Sequence, residues 1–124
     1  MHLIHFAARP GAGEARVRFT ADDPVFAGHF PRTPVLPGVV LIDASVGLVA
    51  RALGRALRLE RLASVKFIRT VAPGDEIDLA FTAQPDPESP ERIRANVRWL
   101  RGPERVAEMA WTAVPDAAAG EAPT

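Results

Sequence analysis

Residues 28–50 read GHFPRTPVLPGVVLIDASVGLVA, and the fold of this 124-residue chain turns on them. The first half sets one histidine, His29, ahead of Pro31, Pro34 and Pro37. The second half is an apolar run broken by a single carboxylate, Asp43, the only charged residue between Arg32 and Arg51. Proline fixes φ and removes a backbone donor, so residues 21–38, with four prolines and two glycines, are expected as an irregular loop. A loop of that length in a small domain is a candidate for function. A helix is expected to begin at Gly38, directly after Pro37, and to run to about Arg58. Val39, Val40, Leu41, Ile42, Ala44, Val46, Leu48 and Val49 cover nearly every face of its first turns, and a helix apolar all round is buried on all sides. Arg51, Arg55 and Arg58 follow at i, i+4 and i+7, placing one basic face in solvent beside the helix C-terminus.

Outward from this stretch the pattern is that of strands. Residues 3–8 and 15–20 are short β-type runs joined by the turn-rich RPGAGE. After the helix, ASVKFIRTV ends at the turn APGDE, and IDLAFTA alternates with Ile77, Leu79 and Phe81 on one face. RIRANVRWL alternates Ile93, Ala95, Val97 and Trp99 against Arg94, Asn96 and Arg98, and RGPE turns into RVAEMAWTAV. The order is two strands, a loop, one buried helix and about four antiparallel strands. This is an α+β pattern, a curved antiparallel sheet wrapped around one long central helix. A single domain is expected over residues 1–114, with a flexible Ala/Pro/Gly-rich tail at 115–124.

Composition narrows the classes of function. The chain is 48% hydrophobic and 24% charged with zero formal net charge, as in a soluble globular domain large enough for one core. Cysteine is absent, which excludes disulfides, thiol chemistry and thiolate metal sites. The opening MHLIHFAARPG lacks the pattern of a secretory signal, and the longest uncharged apolar run falls well short of the ~20 residues that span a bilayer. A cytoplasmic location is the expectation. Fourteen of the fifteen basic residues are arginine. Near-neutral charge and the lack of aromatic–basic interleaving argue against nucleic acid, whereas the guanidinium fork suits a phosphate or an acidic partner.

The 28–50 stretch also has a chemical reading. His29 is a base that titrates near neutral pH, on a loop constrained by proline. Gly38 opens the helix, where unpaired amides stabilise negative charge and the missing Cβ admits close approach of a ligand. Asp43, one to two turns in, is expected on an apolar surface that raises its pKa and keeps it protonated. Base, oxyanion donor and acid form a coherent acid–base set.

GHFPRTPVLPGVVLIDA resembles the signature of the 3-hydroxyacyl-acyl carrier protein dehydratases, which have the hot-dog fold. That family carries His-Phe-Pro, then Pro-x-x-Pro-Gly, then an acid fourteen residues after the histidine. His29–Phe30–Pro31, Pro34, Pro37–Gly38 and Asp43 fall at those spacings. A second block, VKFIRTVAPGDEIDL, is similar to the family's Phe-x-x-x-Val-x-Pro-Gly-Asp strand. The short aspartate-bearing type, such as the dehydratases of aryl-polyene synthesis, fits best. Arg32 stands where the family usually has glycine, and Gly47 where it usually has glutamine.

The resemblance implies that His29 takes the C2 proton of a (3R)-hydroxyacyl thioester, the Gly38 amide stabilises the thioester oxygen, and Asp43 protonates the leaving hydroxyl. It implies no metal or redox cofactor, and a dimer in which His29 and Asp43 act from opposite subunits. Phe30, Pro37 and Val39 are the candidate substrate-binding residues. Arg32, Arg51 and Arg55 are the candidates for meeting acyl carrier protein or its phosphopantetheine phosphate. Two other readings stand beside this one: a hot-dog acyl thioesterase, and a non-catalytic subunit of a hot-dog heterodimer. His2 and His5, three apart in a strand, are expected on opposite faces with no shared metal. Trp99 and Trp111 are expected to pack rather than to stack on substrate.

Overall fold

The computed structural model describes residues 1–26 and 35–117. Strands β1 (His2–Arg9) and β2 (Ala12–Arg18) form a hairpin, and helix α1 spans Gly38–Leu53. Strands β3 (Leu57–Phe67), β4 (Glu76–Pro85), β5 (Ile93–Arg101) and β6 (Glu104–Pro115) follow. All pairings are antiparallel, in the order β1-β2-β4-β5-β6-β3. The sheet curves around α1, which packs against β3 as well as β1, β2 and β4. The expected hot-dog architecture is therefore present, with the two edge strands flanking the helix.

Alternation builds the closed side of this fold. Ile77, Leu79, Phe81 and Ala83 of β4 and Ile93, Ala95, Val97 and Trp99 of β5 are buried, and they meet Leu41, Leu48 and Val49 of α1 in one core. Trp111 of β6 is buried too, and its indole N–H donates to Ser45 Oγ at 2.9 Å. The Ser45 hydroxyl donates in turn to Ile42 O at 2.6 Å, so a buried polar group on the helix is satisfied from both directions. The Trp99 indole N–H is buried with no partner among the described residues. Both tryptophans thus pack in the core, as expected.

The structure corrects several boundaries. The helix ends at Leu53, not near Arg58, because Gly54 adopts a left-handed φ of 67°. There the Gly54 N–H donates to Arg51 O and the Arg55 N–H to Ala50 O, the paired bonds that close a helix C-terminus. Arg55 consequently lies in a turn and Arg58 on β3, so the expected basic helix face is reduced to Arg51. The strand expected over residues 63–71 instead starts at Leu57, six residues before Ala63, and ends at Phe67. Its register against β6 shifts between Leu59 and Arg61 and again between Leu62 and Ser64. These two bulges place Leu59, Leu62, Val65 and Phe67 opposite the buried Ala113, Trp111, Met109 and Ala107, all on the helix side of the sheet. The resulting spacing is closer to a helix period than to the strict alternation of a strand, which is why the helix is expected to run past Gly54 to about Arg58.

A second correction concerns burial. The helix is not enclosed on all sides. Val39 is 67% exposed, and Asp43 and Gly47 are exposed with it, at i, i+4 and i+8 along one stripe. Elsewhere the changes are small. β1 and β2 begin earlier than expected, β6 runs to Pro115, and a short 3-10 helix occupies Pro24–Phe26 within the proline-rich loop. The tail expected at 115–124 lies outside the described residues from 118 onward.

Candidate active site

The N-terminus of α1 is built by Pro37 and Gly38. Pro37 caps the helix in an extended conformation, φ −61° and ψ 137°, without a side-chain hydrogen bond. The Val40 N–H donates to Pro37 O at 3.0 Å, tightening the first turn. The leading amides, that of Gly38 first, are those for which a helix supplies no intrahelical acceptor. No acidic side chain occupies this turn, so the positive end of the helix dipole is uncompensated by the helix itself.

The missing side chain of Gly38 is what lets Phe67 lie against the helix entry. A Cβ at this position would lie 2.5 Å from Cζ of Phe67, whose ring, 49% exposed, covers the helix entry from β3. Phe67 thus borders the candidate site, a position not expected from the sequence. Its signal was present, because it is the phenylalanine of the VKFIRTVAPGD block.

Asp43 stands on the open stripe of α1, between Val39 and Gly47. The apolar, enclosed setting expected for its carboxylate is not supplied by this chain, since the residue is exposed. Gly47, one turn further on, has open space around it among the described residues: an added Cβ would meet none of them within 4 Å. Pro37, Gly38, Val39 and Asp43 are therefore brought together on the N-terminal half of one helix. His29, Phe30 and Arg32 lie outside the described residues.

Arg51 and Arg55 sit at the other end. Thirteen residues separate Arg51 from Gly38, about 20 Å at the helical rise. The Arg51 guanidinium carbon lies 5.1 Å from the centroid of the Phe6 ring on β1, a cation–π contact that aligns its side chain along the helix flank. His2 and His5 are exposed, and His5 Nε2 lies 3.8 Å from Glu14 Oε1. Among the described residues no group of three histidine or carboxylate side chains could hold a metal ion, and no helix is long and apolar enough to cross a membrane.

A groove of about 660 Å³ lies across the outer face of the sheet, lined by Glu14, Lys66, Thr82, Asn96, Arg98 and Glu108 among others. It is on the opposite side of the sheet from Asp43.

Comparison with known proteins agrees with this architecture. A model of the ApeI-like family, described as ApeI dehydratase, matches residues 8–97. The chain is 35% identical, over 73% of its length, to the 3-hydroxyacyl-acyl-carrier-protein dehydratase FabZ of Gluconobacter oxydans. It is 38% identical, over 70% of its length, to the FabZ of Gluconacetobacter diazotrophicus. In both cases the match spans 55% of the relative's own length, so the chain covers only about half of these proteins. Among solved structures, the dehydratase heterocomplex ApeI:P from Xenorhabdus doucetiae superposes with a TM-score of 0.76, at 20% identity, over 90% of this chain and 96% of that one. The Pyrococcus horikoshii protein PH1136 superposes with a TM-score of 0.69 at 15% identity, over 88% of this chain and 78% of its own.

Proposed function

The chain belongs to the ApeI-like dehydratase family, and from that premise we propose that it removes water from a (3R)-3-hydroxyacyl thioester carried on acyl carrier protein. The product is the trans-2-enoyl thioester, in fatty-acid or polyene-type lipid synthesis. His29 takes the C2 proton, the C2–H electron pair becomes the C2=C3 bond, and the C3–O bond breaks. Asp43 delivers a proton to the departing hydroxyl, which leaves as water. The Gly38 amide, reinforced by the helix N-terminus, stabilises the charge that develops on the thioester oxygen. Pro37, Val39 and Phe30 contact the substrate beside these groups.

The observation that carries this reading is the open stripe of α1. It presents a helix N-terminus without a competing acid and, one turn on, a lone carboxylate with open space beyond it at Gly47. A family acid placed in solvent by its own chain needs a second surface to exclude water. We assign that role to a second hot-dog chain, another copy or a related subunit. The partly exposed apolar row of β3 (Leu59, Leu62, Val65, Phe67), on a sheet edge unpaired among the described residues, supports it, because such an edge invites pairing unless it is covered. The second chain would supply the His29 that faces this Asp43. Arg32, Arg51 and Arg55 are the residues we assign to the acidic carrier or its phosphopantetheine phosphate, and the cytoplasm is the compartment this reading takes.

The test is to offer the purified protein a 3-hydroxyacyl-carrier thioester and follow the acyl group by mass spectrometry. Loss of one water with the thioester intact is expected. Release of free thiol in its place would make the chain a thioesterase, and an unchanged substrate would overturn catalysis by this chain alone.

A further inference from the structure

Phe19 lies just beyond the end of β2, and Leu36 lies two residues before Gly38. Both are tied to one piece of chain, the connection between β3 and β4. The Gly74 N–H donates to Phe19 O at 2.7 Å, and the Leu36 N–H donates to Val71 O at 2.8 Å. The position of Val71 O therefore sets where the chain enters α1, and with it the place of the Gly38 amide.

The connection cannot hold that position by burial, since Val71 is its one buried residue. Polar bonds do it instead. The Ala72 N–H donates to Asp75 Oδ2 at 2.9 Å and the Asp75 N–H donates to Ala72 O at 3.1 Å, closing a turn in which Gly74 takes a φ of 88°. Arg101 of β5 then reaches across it. Its Nη1 donates to Thr70 O at 3.1 Å and to Asp75 Oδ2 at 2.8 Å, bridging the residue before Val71 and the residue after Gly74. Glu104 faces the same guanidinium, 3.5 Å from its Nε, and also pairs with Arg69 Nε at 3.1 Å. The Arg101 and Asp75 side chains are about two-thirds shielded, at 31% and 29% exposure, so water competes for these bonds less than at an open surface.

We propose that Arg101, with Asp75, is a positioning residue for the candidate active site. It fixes residues 70–75, whose Val71 carbonyl and Gly74 amide hold the chain at Leu36 and Phe19, and through Leu36 it sets the Gly38 amide. Arg101 touches no reacting group in this account. The inference rests on the reading of Gly38 as the oxyanion donor, for which a displacement of about 1 Å costs on the order of a hundredfold in rate.

The experiment compares wild type with Arg101→Ala, Arg101→Lys, Asp75→Ala and the Arg101→Ala/Asp75→Ala double variant, by amide hydrogen exchange and by steady-state dehydration kinetics. In Arg101→Ala the Leu36 and Gly74 amides are expected to exchange at least about tenfold faster, with Ile77 and Val97 unchanged. Turnover should fall about tenfold or more with KM within about twofold. Arg101→Lys, which keeps the charge without the fork, should lie between, and the double variant should be no worse than the worse single one. Unchanged exchange at Leu36 and Gly74 would overturn the proposal. So would a rise in KM with turnover intact, or a loss of turnover that follows lost protection at Ile77 and Val97. If wild type dehydrates no 3-hydroxyacyl thioester, the functional reading fails, and the exchange at Leu36 and Gly74 alone then decides whether Arg101 clamps the connection.

Discussion

The two sides of α1 are made of similar residues and do opposite things. On one side Leu41, Leu48 and Val49 share one buried core with residues of β4, β5 and β6, and Ser45 accepts from Trp111. On the other side Val39, Asp43 and Gly47 face outward, and the β3 row beside them (Leu59, Leu62, Val65, Phe67) is partly exposed. The closed side accounts for the fold. The open side holds the candidate chemistry, and in the proposed reading it is finished by another chain. Changes on the closed side should therefore be felt as stability, and changes on the open side as turnover and assembly.

The largest expected effect is at His29. His29→Ala removes the proposed base and should lower dehydration by at least about a hundredfold, with melting temperature and oligomeric mass unchanged. Asp43→Asn should behave alike, because an exposed side chain is lost without a cavity. Leu62→Glu comes next. It places a charge in the apolar row of β3, and light scattering at micromolar concentration should show the assembly dissociating. A folded, still-assembled Leu62→Glu protein would remove β3 from the interface.

On the closed side, Ser45→Ala leaves the buried Trp111 indole N–H without its acceptor and should cost about 1–3 kcal/mol in denaturant unfolding. Turnover per folded molecule should be retained. Unchanged stability would mean that the Ser45–Trp111 bond contributes nothing to the core. Gly38→Ala sits between the two regions. Its Cβ must displace the Phe67 ring, so turnover should fall by about tenfold, and the effect should shrink in Gly38→Ala/Phe67→Leu.

The smallest effect belongs to the exposed rim. Glu60 sits at the first bulge of β3, and the Arg92 guanidinium, 2.6 Å away, holds its carboxyl below the ordinary value of 4.5. A depressed carboxyl contributes stability above its unfolded pKa, and that contribution is lost as pH falls through the folded value. Glu60→Gln should accordingly lose a little stability at neutral pH and converge with wild type in acid, as read by melting temperature against pH.

How much of this was legible in the sequence follows the same division. The closed side could be read directly, because strict alternation in IDLAFTA and RIRANVRWL states which face is buried. The start of α1 could be read from Pro37–Gly38. The end of α1 was not legible. Gly54 sits inside RALGRALRLERL, whose leucines and arginines recur at spacings close to a helix period, and the bulges of β3 create that coincidence. The exposure of Asp43 was not legible either. An apolar helix sequence states that its faces are to be buried, not whether the covering surface belongs to the same chain. Phe67 was missed for a related reason, since its contact with Gly38 joins residues 29 apart and depends on the β3–β6 register.

The claim that the site is completed by a second chain has a direct test. His29→Ala and Asp43→Asn protein, each nearly inactive alone, are mixed under conditions that let subunits exchange, and dehydration of a 3-hydroxyacyl-carrier thioester is measured. If His29 and Asp43 act across an interface between copies, half of the random dimers carry one intact site, and activity should recover to about a quarter of wild type. Activity that stays at the level of the separate variants after proven exchange would contradict completion of the site by a second copy of this chain.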